Sequence, residues 1–220
     1  MTSLQSLAIM LPGFLFTIIM HEYAHALIAY LRGDTTAKER LTFNPLNHLE
    51  LWGSIIIPFI NFSTGGFLFG WGRALVPKRY LLKKPFSDFF FIYLAGPLVS
   101  FFLGILFCFF LSFSFFKQYT ILAEIFKYTA LINFITCFFN LLPIPPLDGF
   151  FMLSVFLEKK FTKVLDFLIV YAPMIFIGFL LLSMAGLPIL GVFITKPSYY
   201  CMNFFTNMFY KGFFWKYLLP

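Results

Sequence analysis

Residues 21–25 read His-Glu-Tyr-Ala-His, an H-E-x-x-H pattern. On a helix, positions i and i+4 lie about 40° apart around the axis. His21 and His25 therefore project from one face, one turn apart, and can ligate one zinc ion. Glu22 points alongside them, where it can take a proton from a water at the metal. That is the chemistry of peptide hydrolysis. The setting sharpens the reading. From Leu7 to Leu31 the only charged side chain is Glu22. A buried acid in a membrane-length apolar run costs roughly 2.5–3.5 kcal/mol on insertion scales, so by default it marks function. The competing reading, a polar cluster that packs helices together, is disfavoured by the same cost. The pattern predicts a zinc protease that works inside a membrane.

Such a site needs a third protein ligand and an open position for water. His48, Glu50 and Asp148 are the candidates. Asp148 stands beside Gly149, at the end of the proline-rich breaker Asn140-Leu-Leu-Pro-Ile-Pro-Pro-Leu-Asp148-Gly149. Irregular backbone at membrane depth makes sense only where it lines a cavity. The plainer reading of Asp148 is an N-cap for the helix that follows.

The elements that must position these residues follow from composition. Of 220 residues, 60% are hydrophobic and only 11% charged, with 36 Phe. A soluble protein could not hide that much apolar surface. The expected fold is an all-α polytopic membrane protein with about five to six transmembrane or re-entrant helices. A short extended stretch is expected after the first span, in the Thr- and Phe-containing residues 35–50. The whole chain, 1–220, reads as a single integral membrane domain. Its catalytic core covers about residues 4–157, with spans at 4–31, 89–116 and 120–142 and a re-entrant piece at 51–62 that is too short to cross. Further membrane segments, at about 165–185 and more weakly 198–219, fill the C-terminal residues 164–220. The first run lacks a basic n-region, so it is expected to stay in the mature protein. Glu124 and Lys127 are expected to pair near the start of the third span.

The formal charge of +7 is not a nucleic-acid signature, because the basic residues sit between the apolar runs. Eight Lys and Arg lie between Arg32 and Lys84, and none precedes them. The positive-inside rule then puts 32–84 in the cytoplasm and the N-terminus outside. His21 to His25 and Asp148 both fall towards the cytoplasmic side. That shared depth supports a shared metal site. Cys108, Cys137 and Cys201 are scattered and read as small packing residues.

The motifs in combination resemble the site-2 protease (M50) family of intramembrane zinc metalloproteases. They are HEYAH in the first span, Ala95-Gly96-Pro97 in the second, and N-x-x-P-x-P-P-L-D-G after the third. The linking stretch is similar too: Gly33-Asp34, Leu41-Thr-Phe-Asn-Pro-Leu-Asn-His48, and Phe69-Gly-Trp-Gly-Arg73 leading to Val76-Pro77. The similarity covers about residues 10–155 and is of the minimal type with no PDZ-like insertion. It implies one zinc ion per chain, held by His21, His25 and Asp148, with Glu22 as general base. It implies a substrate or oxyanion role for Asn140, and His48 matches a loop histidine that is not a standard ligand. Glu50 stands where relatives carry Asp, and Ser100 where Asn is frequent. The implied substrate is a transmembrane protein in the same bilayer, cut within or near its spans in regulated intramembrane proteolysis. The implied location is the cell (inner) membrane of a prokaryote. The rival classes are a membrane metal-ion transporter and a catalytically inactive homologue acting as a scaffold. Mostly uncharged later spans argue against the first, and the intact Glu22 against the second.

Overall fold

The structure, a computed structural model, describes residues 3–63, 70–113, 119–184 and 190–210. Among the described residues seven α-helices follow one another: α1 (Ser3–Leu31), α2 (Ile57–Ser63), α3 (Pro85–Leu111), α4 (Thr120–Asn140), α5 (Asp148–Val170), α6 (Ala172–Met184) and α7 (Lys196–Tyr210). Wider-turn segments at Leu51–Ile56 and Gly191–Thr195 run directly into α2 and α7. Among the described residues three helices, α1, α3 and α4, are long and apolar enough to cross a membrane. A fourth crossing is formed if the bent pair α5–α6 counts as one. The chain is an all-α polytopic membrane protein.

Helices α1, α3 and α4 pack against one another, α5 packs on α3, and α7 on α3 and α4. Phe134, Phe139, Cys108, Phe176 and Met202 meet in the largest buried apolar cluster. Outward positions such as Phe102, Phe91 and Leu106 are apolar and exposed, as a lipid-facing surface requires. Inside the bundle the helices are joined by polar contacts. The fully buried Asn133 Nδ2 donates to Thr17 Oγ1 and to the Thr129 carbonyl, both at 2.8 Å, tying α4 to α1.

Two buried carboxylates organise the loops at the end of α1. Asp34 Oδ1 accepts from the Thr36 amide and hydroxyl, and its Oδ2 accepts from the Lys78 amide at 2.8 Å. Asp88 accepts from Arg32 Nη1 at 3.0 Å and from the Lys84 amide at 2.6 Å. The second contact holds the amide of the residue just before α3, as a capping box does, and Pro85 supplies a preset φ at the first turn. Gly33, with φ +119°, makes the turn out of α1, and a Cβ there would lie 2.6 Å from the Leu81 carbonyl oxygen.

Several expectations need correction. The extended stretch at 35–50 is absent: among the described residues there is no strand, and this region makes tight turns at Thr35–Arg40 and Pro45–Asn47. The reason is local. Asp34 caps the first turn, and Asn44 Oδ1 accepts from the Leu46 amide to start the second. The expected fourth span at about 165–185 is not one straight helix. Helix α5 starts at Asp148, bends at Phe161, and meets α6 across a 69° turn after Val170. The charged run 158–163 does mark a break: Phe161 leaves helical geometry at φ −127°, ψ 29°, and just before it Glu158 pairs with Arg79 through two 2.8 Å contacts. The second span begins at Pro85 rather than Phe89. Residues 114–116 of that span, Gly65, Gly66, Phe69, Ala185, Pro188 and residues 211–219 lie outside the described residues. Glu124 and Lys127 do pair, at 3.4 Å. All three cysteines are free thiols.

Candidate metal centre

His21 and His25 occupy successive turns of α1 and are almost fully buried. Their Nε2 atoms lie 3.1 Å apart. Asp148, the first residue of α5, brings Oδ2 to 3.1 Å from His21 Nε2 and 3.3 Å from His25 Nε2. The cap position is held by Leu147, so Asp148 is not an N-cap. Its carboxylate faces the histidines.

The protonation pattern shows what these three atoms can do. His25 Nδ1 is 2.7 Å from the Ile92 carbonyl, which only accepts, so Nδ1 carries a hydrogen and Nε2 is the nitrogen left to face a metal. His21 Nδ1 lies 3.0 Å from Ser100 Oγ. With that nitrogen donating to the hydroxyl, both Nε2 atoms and the Asp148 oxygen are lone-pair donors converging on one point. Tetrahedral zinc with bonds near 2.0–2.1 Å separates its ligand atoms by about 3.3 Å, close to the spacings found. The donor set, two imidazoles and a carboxylate, suits zinc with one position left for water. Among the described residues this is the one group of His, Cys, Asp and Glu with metal-binding geometry.

Helix α3 makes room for this cluster. Gly96 faces it so closely that an added Cβ would lie 2.2 Å from His25 Nε2 and 2.6 Å from His21 Nε2. Pro97 offers no amide hydrogen to the Tyr93 carbonyl, which loosens the helix ladder next to the Ile92 carbonyl that receives His25. At the other side, Gly149 lets α5 start against the end of α4, where a Cβ would meet the Leu141 carbonyl oxygen at 2.3 Å. That approach sets the depth of Asp148.

Glu22 lies outside the ligand cluster. It is buried, and its Oε2 has no hydrogen-bond partner. Arg40 Nη2 is 3.9 Å from that oxygen. Segment 70–73 passes alongside: a Cβ on Gly72 would stand 3.0 Å from Glu22 Cγ and 2.9 Å from the His48 carbonyl oxygen. This segment is held by alternate amides, Trp71 to the Gly53 carbonyl at 3.0 Å and Arg73 to the His48 carbonyl at 2.7 Å.

The other sequence candidates are placed elsewhere. Glu50 caps the helix that follows it, accepting from the Gly53 amide at 2.6 Å. His48 is buried with its Nε2 donating to the Thr42 carbonyl at 2.6 Å, so its ring is a loop fastener rather than a ligand. Burial holds its pKa below the ordinary histidine value. Asn140 closes α4 with its Nδ2 turned back to the Thr136 carbonyl at 3.0 Å. Ser100, Arg40 and the Ile92 carbonyl were not assigned roles from sequence. Of these only Ser100 carries a sequence signal, its departure from a frequent Asn.

The family model of Peptidase family M50 matches residues 9–123 and 116–184. The chain is 36% identical over 154 residues to "Putative zinc metalloprotease YwhC" of Bacillus subtilis (strain 168), covering 64% of this chain and 67% of that protein. It is 26% identical over 159 residues to "Putative zinc metalloprotease Rip2" of Mycolicibacterium smegmatis, covering 71% of this chain and 60% of that protein. No solved structure gives a significant match. A two-histidine, one-carboxylate cluster in apolar helices agrees with these relatives, and the chain belongs to peptidase family M50, a family of zinc metalloproteases.

Proposed function

We propose that this chain is an intramembrane zinc endopeptidase of the site-2 type, cutting transmembrane segments of other proteins near their cytoplasmic ends. The observation that carries the reading is the convergence of His21, His25 and Asp148 beside the unpartnered Glu22, at the base of membrane-length helices. In this reading the first two histidines and Asp148 hold one zinc. When bound, that ion supplies Lewis-acid polarisation of the peptide carbonyl and a more acidic water. Glu22 takes the proton of the attacking water as its oxygen bonds to the carbonyl carbon. The C–N bond then breaks, the electron pair leaves with nitrogen, and Glu22 returns the proton to that nitrogen. Ser100 and the Ile92 carbonyl keep both rings aimed.

A helical substrate hides its peptide bonds in i to i−4 hydrogen bonds and must unwind before attack. The alternating tethers of segment 70–73, next to Glu22, support a place where an unwound strand could lie. Asn140, at the end of α4, and the His48 loop are the proposed substrate-side residues. The core is residues 4–157, with 164–220 as added membrane segments. The eight basic residues from Arg32 to Lys84 support a cytoplasmic active site, an outside N-terminus and a prokaryotic inner-membrane location.

The test is metal content in purified protein. His21→Ala, His25→Ala and Asp148→Ala should each sharply lower bound zinc, while Glu22→Gln keeps it and loses turnover. Full zinc and activity in Asp148→Ala would overturn the ligand assignment.

A further inference from the structure

Arg40 closes the turn Thr35–Arg40 that follows α1, and its side chain is 17% exposed. Its Nη2 donates to the Arg73 carbonyl, which anchors the guanidinium to the segment lying against Glu22. The Arg40 Nε is buried and has no hydrogen-bond partner, and neither has Glu22 Oε2. One guanidinium thus carries an unused donor, and the carboxylate whose oxygen lies 3.9 Å from its Nη2 carries an unused acceptor. At 3.9 Å the two side chains do not bond directly.

A purely structural Arg–Glu pair would close. Arg79 and Glu158 do so in this same molecule, through two 2.8 Å contacts. The Arg40–Glu22 pair stays open at 3.9 Å, and a third group that accepts from the guanidinium while its neighbour donates to the carboxylate would satisfy both. A peptide carbonyl and its attacking water are such a pair.

We propose that Arg40 is a catalytic residue of this site, donating to the carbonyl oxygen of the bond being cut. The proposal rests on the peptidase reading above. As the water oxygen bonds to the carbonyl carbon, its proton passes to Glu22 and the C=O π pair moves onto oxygen. The resulting negative charge faces a fixed cationic donor. When the C–N bond breaks, the charge returns to re-form the carbonyl, and the proton held by Glu22 goes to the leaving nitrogen. A preorganised donor at that position is worth about 10²–10³ in rate.

The experiment uses full-length, zinc-loaded protein in lipid nanodiscs. Wild type, Arg40→Met, Arg40→Lys and the exposed control Lys38→Met are compared. The probes are a phosphinate pseudopeptide, whose tetrahedral anion replaces the cut bond, and the parent transmembrane peptide bound in a Glu22→Gln background. Arg40→Met should keep its zinc and bind phosphinate about 10²-fold more weakly, while parent-peptide binding changes far less. Arg40→Lys should recover part of the loss, and Lys38→Met should match wild type. Equal weakening of both probes, loss of zinc, or unchanged phosphinate binding would overturn the assignment. If Arg40→Met fails to fold, Arg40→Lys decides: phosphinate affinity equal to wild type overturns the proposal, and a selective loss supports it. A wild type that neither binds phosphinate nor cleaves peptide fails the peptidase reading itself, and Arg40 with it.

Discussion

Gly96 of α3 and His25 of α1 approach so closely that a methyl group on the glycine would lie 2.2 Å from the imidazole Nε2. The helix backbone forms one wall of the ligand cluster, and no side chain fits there. Gly96→Ala should therefore push the rings apart and lower zinc content several-fold, with helical content by circular dichroism unchanged. Normal zinc in this variant would mean that the two helices separate at little cost.

Ser100 reaches His21 Nδ1 from the next turn of α3. Groups that orient metal-bound histidines typically contribute 10–100-fold to affinity or activity. Ser100→Ala should weaken zinc affinity by about 10-fold in a chelator competition. Ser100→Asn, which can still accept from the ring, should lose less. Equal affinities in wild type and Ser100→Ala would show that the hydroxyl does not hold the ring.

His48 sits buried with a pKa held down by that burial, against a smaller opposing effect of the Thr42 carbonyl bond. The folded protein then binds fewer protons here than the unfolded chain. Loop stability is complete above the ordinary histidine value, about 6.5, and falls as pH drops below it. Hydrogen exchange in residues 41–50, corrected for intrinsic rates, should show less protection at pH 5.5 than at 7.5. His48→Asn should abolish that difference, and equal protection in wild type would contradict it.

The pair His21 and His25 was legible from sequence because helical spacing alone sets their geometry. Asp148 was legible only as one of three candidates until the motif resemblance singled it out. What sequence could not supply were partners remote along the chain. Ser100 is 79 residues from His21, and the Ile92 carbonyl 67 from His25. The missing strand at 35–50 has a different cause: Asp34 and Asn44 each bond a following amide, and that chemistry outweighed the Thr and Phe content. The run Glu158–Lys163 was legible as an interruption, and the chain leaves helical geometry inside it at Phe161, while Glu158 is held by Arg79.

The most direct test of the whole account is the position of the cut. The protein is reconstituted in vesicles with a second protein carrying a single transmembrane helix, and product termini are mapped by mass spectrometry. Wild type should give ends within the cytoplasmic half of that helix, faster when the helix contains Gly or Pro than when it is uniformly Leu. Glu22→Gln should retain zinc and lose cleavage by about 10²-fold or more. Cuts confined to extramembrane loops or to the external half of the helix, or wild-type rates in Glu22→Gln, would contradict it.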